Sequence, residues 1–159
     1  MAQKTRQSKT LPIYILNGPN LNLLGHREPE VYGYTTLAQI EQMCAAQAAS
    51  HGLSIVFRQS NREGEIVDHL QEARTAGSAV IINPAGYGHT SIAILDSIQA
   101  CGLPVIEVHL SNIHRREPYR NHSYVSKGAT GIIMGLGAQG YVRAVDAVAQ
   151  ILSAKGKKK

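Results

Sequence analysis

Glu107 and His109 stand two residues apart in the run IEVHLSN, and no pair in the sequence is better suited to moving a proton. Side chains alternate faces along a strand, so residues two apart point the same way. A carboxylate beside an imidazole fixes its tautomer and favours its protonated form, which makes the ring a proton donor near neutral pH. The same spacing also fits a structural ion pair at a strand end. A second candidate lies in NGPNLNLLGHREPEVYG, residues 17–33, where Arg27 precedes Tyr32 by five positions. A phenol, with a reference pKa near ~10, becomes a base only where a cation stabilises the phenolate. Arginine supplies that charge without competing for the proton. A surface cation and a packing ring on a mobile loop would read the same way in isolation. Gly25 and Gly33 bracket the stretch and would serve as hinges for a lid that excludes water.

Neutral groups gather near these candidates. Asn83 ends an apolar run, and His89 precedes Thr90, the expected N-cap of a helix. Free backbone N–H groups and the positive end of the dipole favour oxygen-rich ligands at such a place. With Asn83, Ser111 and the amides around Leu110 and Ser111, the set suits a polyhydroxylated acid, although Asn and Ser are also common turn residues.

The elements that must position these groups follow from the apolar pattern. Five β-branched runs recur: LPIYIL (11–16), LSIVF (53–57), SAVIIN (78–83), LPVIEVHL (103–110) and ATGIIM (129–134). Helical spacing fills Thr36–Ser50, Glu63–Ala76, Thr90–Ala100 and Ala138–Ser153. Strands alternating with helices of this length imply a parallel sheet with right-handed crossovers. Near-continuous apolar strands imply helices on both faces, hence an α/β three-layer sandwich. For a five-stranded parallel sheet the expected order is flavodoxin-like, 2-1-3-4-5, with ligands outside the carboxyl ends of the strands.

At 159 residues the chain is expected to form one domain, over 11–154, between polar tails at 1–10 and 155–159. The formal charge of +5 belongs to those tails: without their 7 basic residues, the body has 9 basic against 11 acidic side chains. Both tails are expected to be disordered. MAQKTRQSKT lacks the apolar segment of a secretory signal, and no run approaches the ~20 apolar residues of a membrane span, so the expectation is a soluble intracellular protein. Cys44 and Cys101 lie in apolar helical patterns without metal or disulfide spacing and read as buried thiols.

Four stretches resemble the type II 3-dehydroquinate dehydratases: NGPNLNLLGHREPEVYG, FRQSNREGEIVDHL, INPAGYGHTSIAILD, and IEVHLSNIHRREPYRNHS followed by GLGAQGY. The resemblance runs in order from about Leu11 to Ala154. It implies a cofactor-free and metal-free elimination of water from 3-dehydroquinate to 3-dehydroshikimate in the cytoplasm, in aromatic biosynthesis or quinate breakdown. By that resemblance Tyr32 is the base and Arg27 holds its charge. Asn20 binds the water that stabilises an enolate, and His109, oriented by Glu107, is the acid. Asn83, His89, Ser111, Arg120 and the backbone at Leu110 grip the substrate. Asp96 lies seven residues past His89, roughly 10 Å along a helix at ~1.5 Å per residue. The resemblance assigns it to a neighbouring subunit's site, within trimers that assemble into a homododecamer. Arg116 matches the family pattern as a supporting salt-bridge residue. Pro118 and Asn121 depart from it, and Gly86 and Gly88 would loosen the loop after the third strand.

Three other readings stay open at this point. GLGAQG satisfies G-x-G-x-x-G between a strand and a helix, but no following strand carries the acidic residue that a dinucleotide site requires, so close packing is the simpler reading. A metal hydrolase would draw on Glu107, His109, His114 or His122, without a helical HExxH. A nucleic-acid binder would rest on the lysine tail alone, with no basic body.

Overall fold

The computed structural model describes residues 10–156, so most of both expected tails lies outside the described residues. Five parallel strands form one sheet: β1 (Ile13–Asn17), β2 (Ile55–Gln59), β3 (Ala79–Asn83), β4 (Val105–His109) and β5 (Gly131–Met134). Their order is β2-β1-β3-β4-β5, the flavodoxin-like arrangement expected. Five helices connect or flank them: a single turn α1 (Pro29–Tyr32), then α2 (Leu37–Ser50), α3 (Glu63–Ala76), α4 (Ile92–Cys101) and α5 (Gln139–Gly156). The last helix runs past Ala154, two residues into the stretch read as a tail.

Period-two alternation divides the core. Ile13 and Ile15 face α2 and α5, while Tyr14 and Leu16 face α3 and α4. All residues of the three inner strands are buried, whereas β2 and β5 are half-exposed edges. That is why β2 tolerates Arg58 and Gln59 and continues beyond the apolar run that marks it in the sequence. Thr36 starts α2 with a capping box: Gln39 N–H donates to Thr36 Oγ1 at 3.2 Å and Thr36 N–H to Gln39 Oε1 at 2.9 Å. The cap of α4 is Ser91, whose Oγ accepts from Ile94 N–H at 3.0 Å; Thr90, the expected cap, closes the preceding turn instead.

Register aligns the strand tips. Asn17 sits beside Gln59 on one side and Asn83 on the other. Buried Tyr141, from α5, donates its hydroxyl to Asn17 Oδ1 at 2.7 Å and accepts from Asn83 Nδ2 at 2.9 Å. Asn17 Nδ2 donates to the Arg58 carbonyl, and Ala85 N–H to Asn83 Oδ1. This directed chain satisfies every buried amide and ties three strands and a helix together beneath the carboxyl edge.

Candidate active site

The loops at that edge enclose a cavity of about 260 Å³. Asn20 enters from the turn after β1, Asn83 from the tip of β3, and His109 from the tip of β4. His89, Leu110, Ser111 and Arg120 line the same space, as do Arg27 and Tyr32 from the segment between β1 and α2. Two residues of the expected site lie elsewhere: Glu107 stands behind His109, and Asp96 is exposed on α4, outside the cavity lining.

Two non-glycine wall residues adopt left-handed backbone. Asn20 has φ 66°, a conformation its short amide tolerates, and its N–H donates to Asn61 Oδ1 at 2.9 Å. Ala85 has φ 50° and is held there by the bond to Asn83 Oδ1. The β3 loop is tight at Gly88, whereas Gly86 is exposed with open space around it. Residues Ala85–His89 form a 3-10 turn in which Gly88 is buried, a Cβ there falling 2.9 Å from Pro84 Cγ.

Tyr32 ends α1, whose first residue is Pro29, preorganised for that position. Gly25 and Gly33 on either side take φ of 88° and 80°. The cation touching the phenol is Arg116: its Nη1 donates to Tyr32 Oη at 3.2 Å. Arg27, to which the sequence points, has its guanidinium carbon 5.7 Å from the ring centroid and pairs with Glu28 at 3.5 Å. Arg116 is therefore a direct neighbour of Tyr32, beyond the supporting ion pair expected of it, which it also makes with Glu117 at 3.7 Å. The bond to Tyr32 pushes the Arg116 guanidinium above its ordinary range, burial opposing and nearby Glu117 and Glu28 assisting. Arg115, Arg116 and Arg120 lie close together in a segment without periodicity, so spacing could not single out the one that reaches Tyr32.

Glu107 and His109 share the face of β4 that Val105 presents toward α4. The Glu107 side chain is fully buried and accepts from His109 Nε2 at 2.6 Å. Ser123 and Ser126 also donate to it. Burial alone would raise the Glu107 carboxyl, but the bonds from His109, Ser123 and Ser126 outweigh it and hold the group below the ordinary glutamate range. The two serines carry no signal in the sequence, since nothing in HSYVS distinguishes an inward hydroxyl from a turn residue.

His89 and His122 exchange hydrogen bonds: His89 Nδ1–H donates to the His122 carbonyl at 2.7 Å and His122 Nε2–H to the His89 carbonyl at 3.0 Å. Burial lowers the His89 imidazole below the ordinary histidine value. His109, His122 and Arg120 push the same way, and the His122 carbonyl opposes. At neutral pH the ring is thus neutral, with Nδ1 protonated and Nε2 an acceptor. Among the described residues no three His, Cys, Asp or Glu side chains converge as a metal site would require. Cys44 and Cys101 are buried and unpaired.

Comparison with known proteins agrees with this architecture. Residues 11–149 match the family described as Dehydroquinase class II. The chain is 57% identical over 150 residues to a 3-dehydroquinate dehydratase of Streptomyces coelicolor, covering 94% of this chain and 96% of that one. It is 59% identical over 138 residues to another of Phenylobacterium zucineum, covering 87% and 95%. Among solved structures, the type II dehydroquinase from Propionibacterium acnes superposes with a TM-score of 0.85 at 40% identity, over 89% of this chain and 97% of that one. With its strand order, its carboxyl-edge cavity and a match spanning nearly all the described residues, this chain belongs to the class II dehydroquinases.

Proposed function

We propose that the chain dehydrates 3-dehydroquinate to 3-dehydroshikimate through an enolate, with Tyr32 as base and His109 as acid. One observation carries this reading: a phenol in contact with a guanidinium and an imidazole anchored on a buried carboxylate line the same cavity. Tyr32, with the Arg116 and Arg27 guanidiniums beside it, takes the proton from the carbon next to the ketone. The electrons move onto the ketone oxygen, where a water held by Asn20 stabilises the charge. His109, its Nε2 engaged by Glu107, protonates the departing hydroxyl from Nδ1, and collapse of the enolate completes the enone. All the groups in these steps are supplied by the chain, one water and the substrate.

Asn83, His89, Ser111, Arg120 and the Leu110 backbone bind the ring hydroxyls and carboxylate in this reading. Neutral His89 supports it, since an acceptor nitrogen suits a hydroxyl. Asp96 completes the site of a neighbouring copy within trimers that build a dodecamer, and its exposure outside its own cavity is consistent with that. The reaction belongs, by family resemblance, to cytoplasmic aromatic biosynthesis or quinate breakdown. The test is direct: added 3-dehydroquinate should develop the ultraviolet absorbance of a conjugated enone, and its absence with folded protein would refute the assignment.

A further inference from the structure

The Glu107 carboxylate is wholly buried and yet reached by three donors. His109 Nε2 and Ser123 Oγ share Oε1, at 2.6 and 2.5 Å, and Ser126 Oγ donates to Oε2. The serines lie three residues apart in HSYVS, at the 3-10 turn Val125–Lys127. Ser126 belongs to that turn and Ser123 precedes its N-cap Tyr124, and both hydroxyls reach the one carboxylate. Val125 between them is fully buried against the α4 side of the core, and Tyr124 N–H bonds to the Gly88 carbonyl at 2.8 Å. The turn is thereby fixed to the core and to the loop after β3, and neither serine lines the cavity.

We infer that Ser123 and Ser126 are positioning residues for the elimination: their hydroxyls hold Glu107 as a carboxylate turned toward His109 and so fix the ring of the acid. This rests on the role proposed for His109. A carboxylate sealed in the core without donors takes up a proton or turns away. Protonated, Glu107 would be less able to accept from His109, and the ring would lose its anchor. O–H···O⁻ bonds are roughly twice as strong as neutral ones, so the two hydroxyls add to the bond from His109 in holding the carboxylate against burial. His109, from β4, is the ionisable group in contact with Glu107; the turn contributes only hydroxyls. His89, which feels the charge of His109, comes from the loop after β3.

The experiment compares the full chain with Ser123→Ala, Ser126→Ala, the double variant and Ser126→Thr. The titration of the Glu107 carboxyl is followed by carbon NMR with labelled glutamate, assigned through Glu107→Gln, beside kcat and KM. Each lost hydroxyl should move the carboxyl midpoint up by about one pH unit. The double variant should lose at least about tenfold in kcat with KM within about twofold, and Ser126→Thr, which keeps the hydroxyl, should stay near the parent on both readouts. A midpoint that does not move in the alanine variants, or that moves as far in Ser126→Thr as in Ser126→Ala, would overturn the inference. If the double variant does not fold, the single variants decide by the same criteria. A parent chain inert toward 3-dehydroquinate would fault the assigned reaction, whereas an unmoved carboxyl titration faults the serine roles whatever the reaction.

Discussion

Arg116 and Tyr32, 84 residues apart in the chain, meet in a 3.2 Å hydrogen bond at the cavity wall. The Arg116 side chain is 17% exposed, against 42% for Arg27, whose guanidinium stands near the ring without reaching the hydroxyl. Charge acts more strongly where water is excluded. Arg116→Gln should therefore lower kcat by about 10²-fold, in the range of losing one preorganised stabiliser of a developing charge. Arg27→Gln should cost about tenfold, being more screened. Steady-state kinetics on both variants, with circular dichroism to confirm folding, checks the ranking; the reverse order would return the main role to Arg27.

Glu107 also sets an acid-stability term whose sign is fixed by its depressed carboxyl. A carboxyl held below its ordinary value near 4.5 in the folded chain contributes stability above that pH, and the contribution is lost as pH falls through the folded value. Thermal unfolding measured from neutral pH downward should fall more steeply below pH ~4.5 in the parent than in Glu107→Gln. Asp146 and Glu72, also depressed, titrate in both proteins and cancel from the difference. Parallel curves would contradict the ionised state of Glu107.

Tyr141→Phe keeps the ring and removes the hydroxyl that joins Asn17 to Asn83. Two buried amide groups are then left without that partner, so denaturant unfolding should show a loss of about 1–3 kcal/mol with little change in slope. An unchanged midpoint would mean that the two amides bond to each other instead.

Gly18 is a site of close backbone approach. Its N–H donates to the Asn83 carbonyl at 2.8 Å, and a Cβ there would fall 2.3 Å from the Pro84 carbonyl oxygen. Backbone cannot swing aside as a side chain can, so Gly18→Ala should destabilise by about 1–3 kcal/mol and disturb the tip of β3. Thermal unfolding together with KM for the substrate measures both effects.

Much of this organisation was legible because strand physics is periodic. The two-residue spacing of Glu107 and His109 places both on one face, and the near-continuous apolar runs of β1 and β3 mark strands covered on both faces. Edge strands are less constrained, which is why β2 extends into Arg58 and Gln59 unannounced. Helix caps depend on a single residue of chain path: Thr90 and Ser91 are equally good caps, and the 3-10 turn Ala85–His89 decides between them. What remained hidden were contacts between loops. The Arg116–Tyr32 bond, the two serines on Glu107 and the His89–His122 exchange all join segments separated in sequence. No periodicity encodes them, so only the folded chain brings them out.

The division of labour between base and acid can be read at the substrate's own hydrogen. In heavy water, NMR follows exchange at the carbon next to the ketone for the parent, Tyr32→Phe and His109→Ala, each shown to be folded. The expected result is that His109→Ala loses dehydration but still exchanges that hydrogen, while Tyr32→Phe loses both. Exchange that persists at the parent rate in Tyr32→Phe would contradict Tyr32 as the base.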